Sequence, residues 1–476
     1  MKTLLKSVMA LVFSAGVFPT LAHADTIRFC VHINAEYSDS CRGFGPQRAT
    51  DPGVCNSAEY HTEDYWADRY FVKDSGTGDY PHPLTNAADK ARHQAFRGGH
   101  IKIVEGSTES GKELFNGYLD DGSNNAVGCT GWLTPNTAAG DYWIRIWSEG
   151  KVRGFRYKAV GNDGNVRYMD YVRNFPASAS GTTQRLYLFT GRYPGDSSAT
   201  DAQRLKRRIF QAGNALAFSL ARERLGVAPI RITLRVRPGG GTAHGCDDGL
   251  WVWWFDGLDA TGPQDECIGV PGSGEYSTNP SIELDSKTIV SHELGHVLLK
   301  RRLGGVPTIN YSYDGPAGPR CIASATGHRL SSIEFNSAAL WEGFAHAYAT
   351  KVWNDPSEPD AVFPAYSGGI VDMDSGRGSY PERKMETDCT DAGTSPGGFS
   401  GKGNETDWAR AFWELHTCDP TGDTSLSRIA GVLDSAANWS STNAYANVNT
   451  AMNATATPAQ MRTCWNRVKA ENGIDH

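Results

Sequence analysis

The run "SKTIVSHELGHVLLKRR" at residues 286–302 sets His292, Glu293 and His296 among Ile289, Val290, Leu294, Val297 and Leu298. Burying two imidazoles and a carboxylate among apolar neighbours costs free energy unless something satisfies them. Residues four apart on a helix lie one above the other, so the two imidazoles present their nitrogens to one point. Imidazole pairs in that arrangement bind zinc. A carboxylate one residue round the helix reaches an attacking water without joining the ligand set, which makes Glu293 a general base. A core helix could carry the same letters, with two histidines satisfied by the protein and Glu293 in a salt bridge.

A catalytic zinc takes three protein ligands and keeps one position open. In the metzincin pattern a Gly and a third His follow the motif, but Leu299 and Arg302 hold those places, which excludes that class. The gluzincin pattern draws its third ligand from a Glu on a second helix, and "ALWEGFAHAYA" offers Glu342, 46 residues after His296. "HELGH" followed by "LWEGFA" resembles gluzincin metallopeptidases, the thermolysin-like and aminopeptidase-like branch of the zincins. The resemblance is carried by about 60 residues. It implies one zinc held by His292, His296 and Glu342, with Glu293 taking the proton of the water that attacks a peptide carbonyl. Two positions depart from that pattern: the interval between the ligands is longer, and His346 stands where thermolysin-like enzymes carry an Asp. His346, one turn beyond Glu342, is open to three roles: orienting a ligand, meeting substrate, or sitting satisfied in the core. For a donor to the oxyanion, position along the chain nominates Tyr380 and His416. The alternative from another class is a catalytically inactive zincin-fold binding or adhesion protein.

These residues need elements to position them. From residue 200 the texture is helical: Thr200 with Gln203 forms a capping box, and Leu205, Ile209, Ala212, Leu216 and Leu220 recur at helical spacing to about Leu225. "RLKRR" at 204–208 reads as the solvated face of that helix. "IRITLRV", "WVWWF" and "SIELD" read as strands before the motif helix. A second helix runs through "SSIEFNSAALWEGFAHAYATKVW", capped by Ser331 and Glu334, with Phe335, Ala338 and Ala339 on the face of Glu342. Gly343 and Ala345 are small, as close packing on the motif helix requires. "ETDWARAFWELH" and a tail from Ser425 are helical, the last helix starting at Thr457-Pro458 with Gln460.

Residues 25–190 read differently. "HIKIVEG", "DYWIRIW", "GFRYKAV", "NVRYMDYV" and "RLYLFTG" alternate apolar with polar residues between turn clusters, the pattern of an antiparallel sandwich. The piece Gly99–Trp147, with its turn "GYLDDGSNNAVGC", resembles transthyretin-like or carboxypeptidase-regulatory-like sandwiches. The Asp/Asn-rich turns are candidates for calcium but lack EF-hand spacing, and surface turns explain them. The expected class is α+β: an N-terminal antiparallel β-sandwich-like domain over 25–190, then a zincin-like metallopeptidase domain over 196–476 with a mainly helical C-terminal half. The two are expected to separate near 190–200.

The compartment follows from the ends and the cysteines. Lys2 and Lys6, the apolar run Val8–Phe18 and Ala22-His23-Ala24 form a secretory signal pattern over 1–24, so the exported chain begins at Asp25. No later run is long and apolar enough to span a bilayer. All ten cysteines follow the cleavage site, four before residue 130 and six after 245, which predicts two disulfides in the first part and three in the second. Cys246 and Cys267 are near enough in sequence to pair. Net charge is −7, and −9 without the two signal lysines, which argues against a nucleic-acid surface; the resemblance to metallopeptidases implies a protein or peptide substrate. Oligomeric state is left open.

Overall fold

The computed structural model describes residues 25–34, 93–123, 126–161, 163–188, 201–237, 265–271, 287–307, 309, 330, 333–353, 361–364, 370–373, 402–420, 422–436, 439 and 443–474. Residues 1–24, Thr200, "WVWWF", "SIELD", Ser331 and Tyr380 lie outside these, as does Cys246.

Among the described residues, eight strands form in the first part: β1 Ile27–Asn34, β2 His93–Ala95, β3 Gly99–Glu105, β4 Lys112–Tyr118, β5 Gly140–Val152, β6 Phe155–Val160, β7 Tyr168–Phe175 and β8 Thr182–Leu188. The period of two places their side chains: in β6, Phe155, Tyr157 and Ala159 are buried while Arg156 and Lys158 face solvent. β5 organises the larger sheet. One of its edges pairs with β3, and the other with β7 and then with β6. β1 sits between β2 and β8 in a separate three-stranded sheet. Its Ile27, Phe29, Val31 and Ile33 are fully buried in the same core as Ile144 and Tyr142.

The antiparallel expectation needs two corrections. β1 pairs in parallel with β8 over seven residues, Ile27↔Thr182 to Ile33↔Leu188. The larger sheet also continues into β9 Arg231–Arg237, parallel to β6, and β10 Asp265–Pro271, parallel to β9. A parallel neighbour requires a long crossover, and helix α1, Asp201–Arg222, lies on the crossover from β6 to β9. The boundary expected near 190–200 therefore falls inside a shared sheet. Ile144 and Tyr157 before it share one hydrophobic core with Leu216, Ile232 and Leu234 after it.

Every residue of α1 from Arg207 to Leu220 is buried. This corrects the reading of "RLKRR" as a solvated face, for Arg208 is 1% exposed. The cause is position: α1 lies against the sheet, where Gly213 admits Ala159 (a Cβ there would come within 3.1 Å of its Cβ), and also against the motif helix.

The second half is mainly helical: α2 Lys287–Leu303, α3 Asn336–Trp353, α4 Glu405–Thr417, α5 Leu426–Ser435, α6 Ala444–Asn453 and α7 Ala459–Glu471. Two short antiparallel pairs accompany them, β11 Ile333–Phe335 with β14 Lys402–Asn404, and β12 Val362–Pro364 with β13 Ile370–Asp372. The chain is thus mixed α/β. Glu334 does not cap α3; it is extended and buried in β11, the half-buried Phe335 follows it in that strand, and the helix starts at Asn336. The last helix starts where expected, just after Pro458, and no side chain caps it. Thr457 donates its hydroxyl to Ala451 O (2.7 Å) and Gln460 its amide to Cys418 O (3.4 Å).

Among the described residues, disulfides join Cys30 to Cys129 and Cys418 to Cys464, one within each part. No described helix is long and apolar enough to cross a membrane.

Candidate metal centre

The motif helix α2 is held from two sides. Ser291 shares a buried hydroxyl contact with Ser219 of α1 (2.7 Å) and accepts from Trp353 Nε1 of α3 (2.7 Å). Phe218 of α1 stacks on the Trp353 ring at 4.5 Å. Gly295, the middle of the motif, lets α3 approach: a Cβ there would sit 3.2 Å from Ala345 Cα and from Tyr348 Cβ. Tyr348 in turn donates its hydroxyl to Glu223 O just past α1 (2.8 Å). The small residues of α3 divide this work. Ala345 packs on the motif helix as expected, whereas Gly343 faces α4, where a Cβ would meet Trp408 Cβ at 2.5 Å.

This packing brings His292, His296 and Glu342 together. The two Nε2 atoms are 3.0 Å apart, and Glu342 Oε2 lies 3.1 Å from His292 Nε2 and 3.3 Å from His296 Nε2. All three side chains are buried, at 2%, 5% and 1% exposure, so water does not settle their polarity. Burial, against the pull of Glu342, pushes the His292 imidazole down to about 4 and keeps it neutral, the form that binds metal. The His296 ring stacks on Trp341 at 5.0 Å and 16°.

The donor set fits a zinc ion. A tetrahedral ion bonded at about 2.0–2.1 Å spaces its donors about 3.3 Å apart. The observed triangle has that size. Hydrogen bonds alone do not satisfy it: for any assignment of protons to the two Nε2 atoms, at least one of the three approaches sets N–H against N–H or lone pair against lone pair. A cation among the three donors makes every approach attractive.

Comparison with protein-family models, with curated proteins and with solved structures found no match to this chain. The centre is read from its own atoms.

Glu293 sits beside His292 on α2 and is only partly buried, unlike the three donors. His346 is fully buried: its ring lies 4.4 Å from that of His292 and 4.3 Å from Phe363, and its Nε2 is 3.7 Å from Glu405 Oε1. Of its three open roles, contact with substrate does not suit this burial. His416, nominated as an oxyanion donor, belongs to the core instead. It is fully buried, with Nδ1 3.4 Å from Thr424 O and its ring against Trp413. In the acidic turns the carboxylates serve their own loops. Asp120 accepts from Gly122 N (2.7 Å) and Ala126 N (3.3 Å), and Asp163 accepts from Asn165 and Arg167.

Two residues at the centre carry no signal in the motif. Trp341 directly precedes Glu342 and reads as core. Glu405 reads only as the acidic first residue of a helix, which says nothing of where that helix begins in space.

Proposed function

We propose that this chain is an exported zinc peptidase, with the metal held by His292, His296 and Glu342 and with Glu293 as general base. The buried triangle of donor atoms, 3.0–3.3 Å on each side, carries this reading. Zinc bound there supplies a Lewis acid and lets water act as a nucleophile at neutral pH. The protein's own groups do the rest. His292 is neutral and offers its lone pair, and Trp341 fixes the plane of His296. Glu293 is turned about 100° round the helix from His292, so its carboxylate stands clear of the ligand positions. It takes the proton of the attacking water and passes it to the departing amine nitrogen. The signal pattern over 1–24 and the two disulfides support export.

The test is zinc content by mass spectrometry alongside cleavage of denatured casein, with and without chelator. The expected result is one zinc per chain and hydrolysis that chelator abolishes and zinc restores. A chain that binds no zinc, or whose hydrolysis survives chelation, overturns the reading. A zinc-loaded chain that cleaves neither casein nor a random peptide library points to the binding-module alternative.

A further inference from the structure

Behind the ligand triangle lies a second buried group. His346 follows Glu342 by one helical turn, packs its ring on that of His292, and faces Glu405 of α4. Glu342, His346 and Glu405 each offer a donor atom within 4.8 Å of the others, and all three are buried. The placement of Glu405 is strongly determined. It is the first residue of α4, where the helix dipole favours a carboxylate. Asn404 caps that helix, its Oδ1 accepting from Thr406 N (2.9 Å) and Asp407 N (3.3 Å). Asn404 Nδ2 and Thr406 Oγ1 both donate to Leu330 O, at 3.0 and 2.7 Å. Gly343 then lets α4 approach α3 until a Cβ at that position would lie 2.9 Å from Glu405 O. Three separate devices thus deliver one carboxylate to the back of the metal centre.

We propose that Glu405 is a positioning residue: with His346 it holds the Glu342 carboxylate and the His292 ring in their ligand positions. This rests on the zinc reading above and deepens it. The same three side chains could instead be ligands of a second cation, but charge favours the positioning role. The five side chains His292, His296, Glu342, His346 and Glu405 contain two carboxylates, which one dication balances. A second dication would leave the buried cluster with excess positive charge, which is costly to desolvate.

The test measures zinc affinity by competition with a chromophoric chelator, metal stoichiometry, and the visible spectrum of the cobalt-substituted protein. Glu405→Gln keeps size and removes charge; His346→Asn removes the intermediary. Each is expected to weaken zinc binding about 10–100-fold and to shift the cobalt bands. The double variant should lose little more than the worse single one, since the two act as a unit. Urea unfolding of the metal-free proteins separates this from a general loss of packing, which would lower the midpoint without moving the cobalt spectrum. If Glu405→Gln does not fold, His346→Asn alone decides between the two roles. Unchanged affinity and spectrum in a one-zinc protein overturn the positioning role. So does a parent with two ions and variants with one, which makes the pair a second ligand set. A parent that binds no zinc overturns the functional reading instead.

Discussion

Replacing Glu342 with Ala leaves two imidazoles facing each other in a dry pocket, and two ligands hold zinc poorly. Purified Glu342→Ala should contain little or no zinc; full occupancy would place the third ligand elsewhere. Glu293→Gln should behave in the opposite way. It keeps zinc and the melting temperature while hydrolysis falls by about 10²–10⁴-fold, since only the ability to take a proton is removed. Parent-like cleavage by a zinc-loaded Glu293→Gln variant would rule Glu293 out as the base. His416 supplies a third check, on stability alone. Its burial, with Lys351 nearby, pushes its imidazole down to about 4 from the ordinary 6.5. The unfolded chain therefore takes up a proton that the folded chain refuses. The stabilisation is complete above pH 6.5 and is lost as pH falls towards 4, by roughly 3 kcal/mol in all. In urea titrations at descending pH, His416→Gln should lose stability less steeply than the parent over that range. At this scale the legible residues were those tied by local spacing. His292 and His296 meet because helical geometry requires it, and Glu342 came with the resemblance. Glu405 was not legible, because its role depends on which helix packs where.

Elements were legible where their own residues decide them. The period of two in β6 and the apolar stripe of α1 are written locally, and both formed. Their surroundings were not: Arg207 and Arg208 are buried because sheet and motif helix both lie against α1, and no property of "RLKRR" records that. The start of α3 shows the same limit. Pairing of β11 with β14 keeps Glu334 extended, so a sound local capping signal lost to a tertiary partner. Packing between helices rests instead on two glycines, Gly295 between α2 and α3 and Gly343 between α3 and α4. Gly343→Ala would drive a methyl group into Trp408 Cβ and the Ala409 backbone, at 2.5 and 2.8 Å. Separation of the helices should cost about 1–3 kcal/mol, read as a lower urea midpoint, with weaker zinc binding because α3 carries Glu342.

Over the whole molecule, the two textures of the sequence do not correspond to two bodies. The shift from alternating to helical pattern near residue 200 is real, yet β9 pairs with β6 across it and one core serves both sides. A fragment beginning near residue 196 would expose the edge of β9 and the buried face of α1. It should be insoluble or molten where the full chain is soluble; a soluble fragment with a cooperative melt would show that the helical half closes its own core. The parallel pairing of β1 with β8 has a consequence in time. Ile27 meets Thr182 and Ile33 meets Leu188, so β1 waits for a partner about 155 residues later. During synthesis, Ile27, Phe29, Val31 and Ile33 stay uncovered and open to mispairing. Cys30 of that same strand bonds to Cys129, 99 residues on, so the disulfide can capture β1 early, before β8 arrives. Refolding with this bond intact should therefore be faster and less prone to aggregation than refolding from the reduced chain.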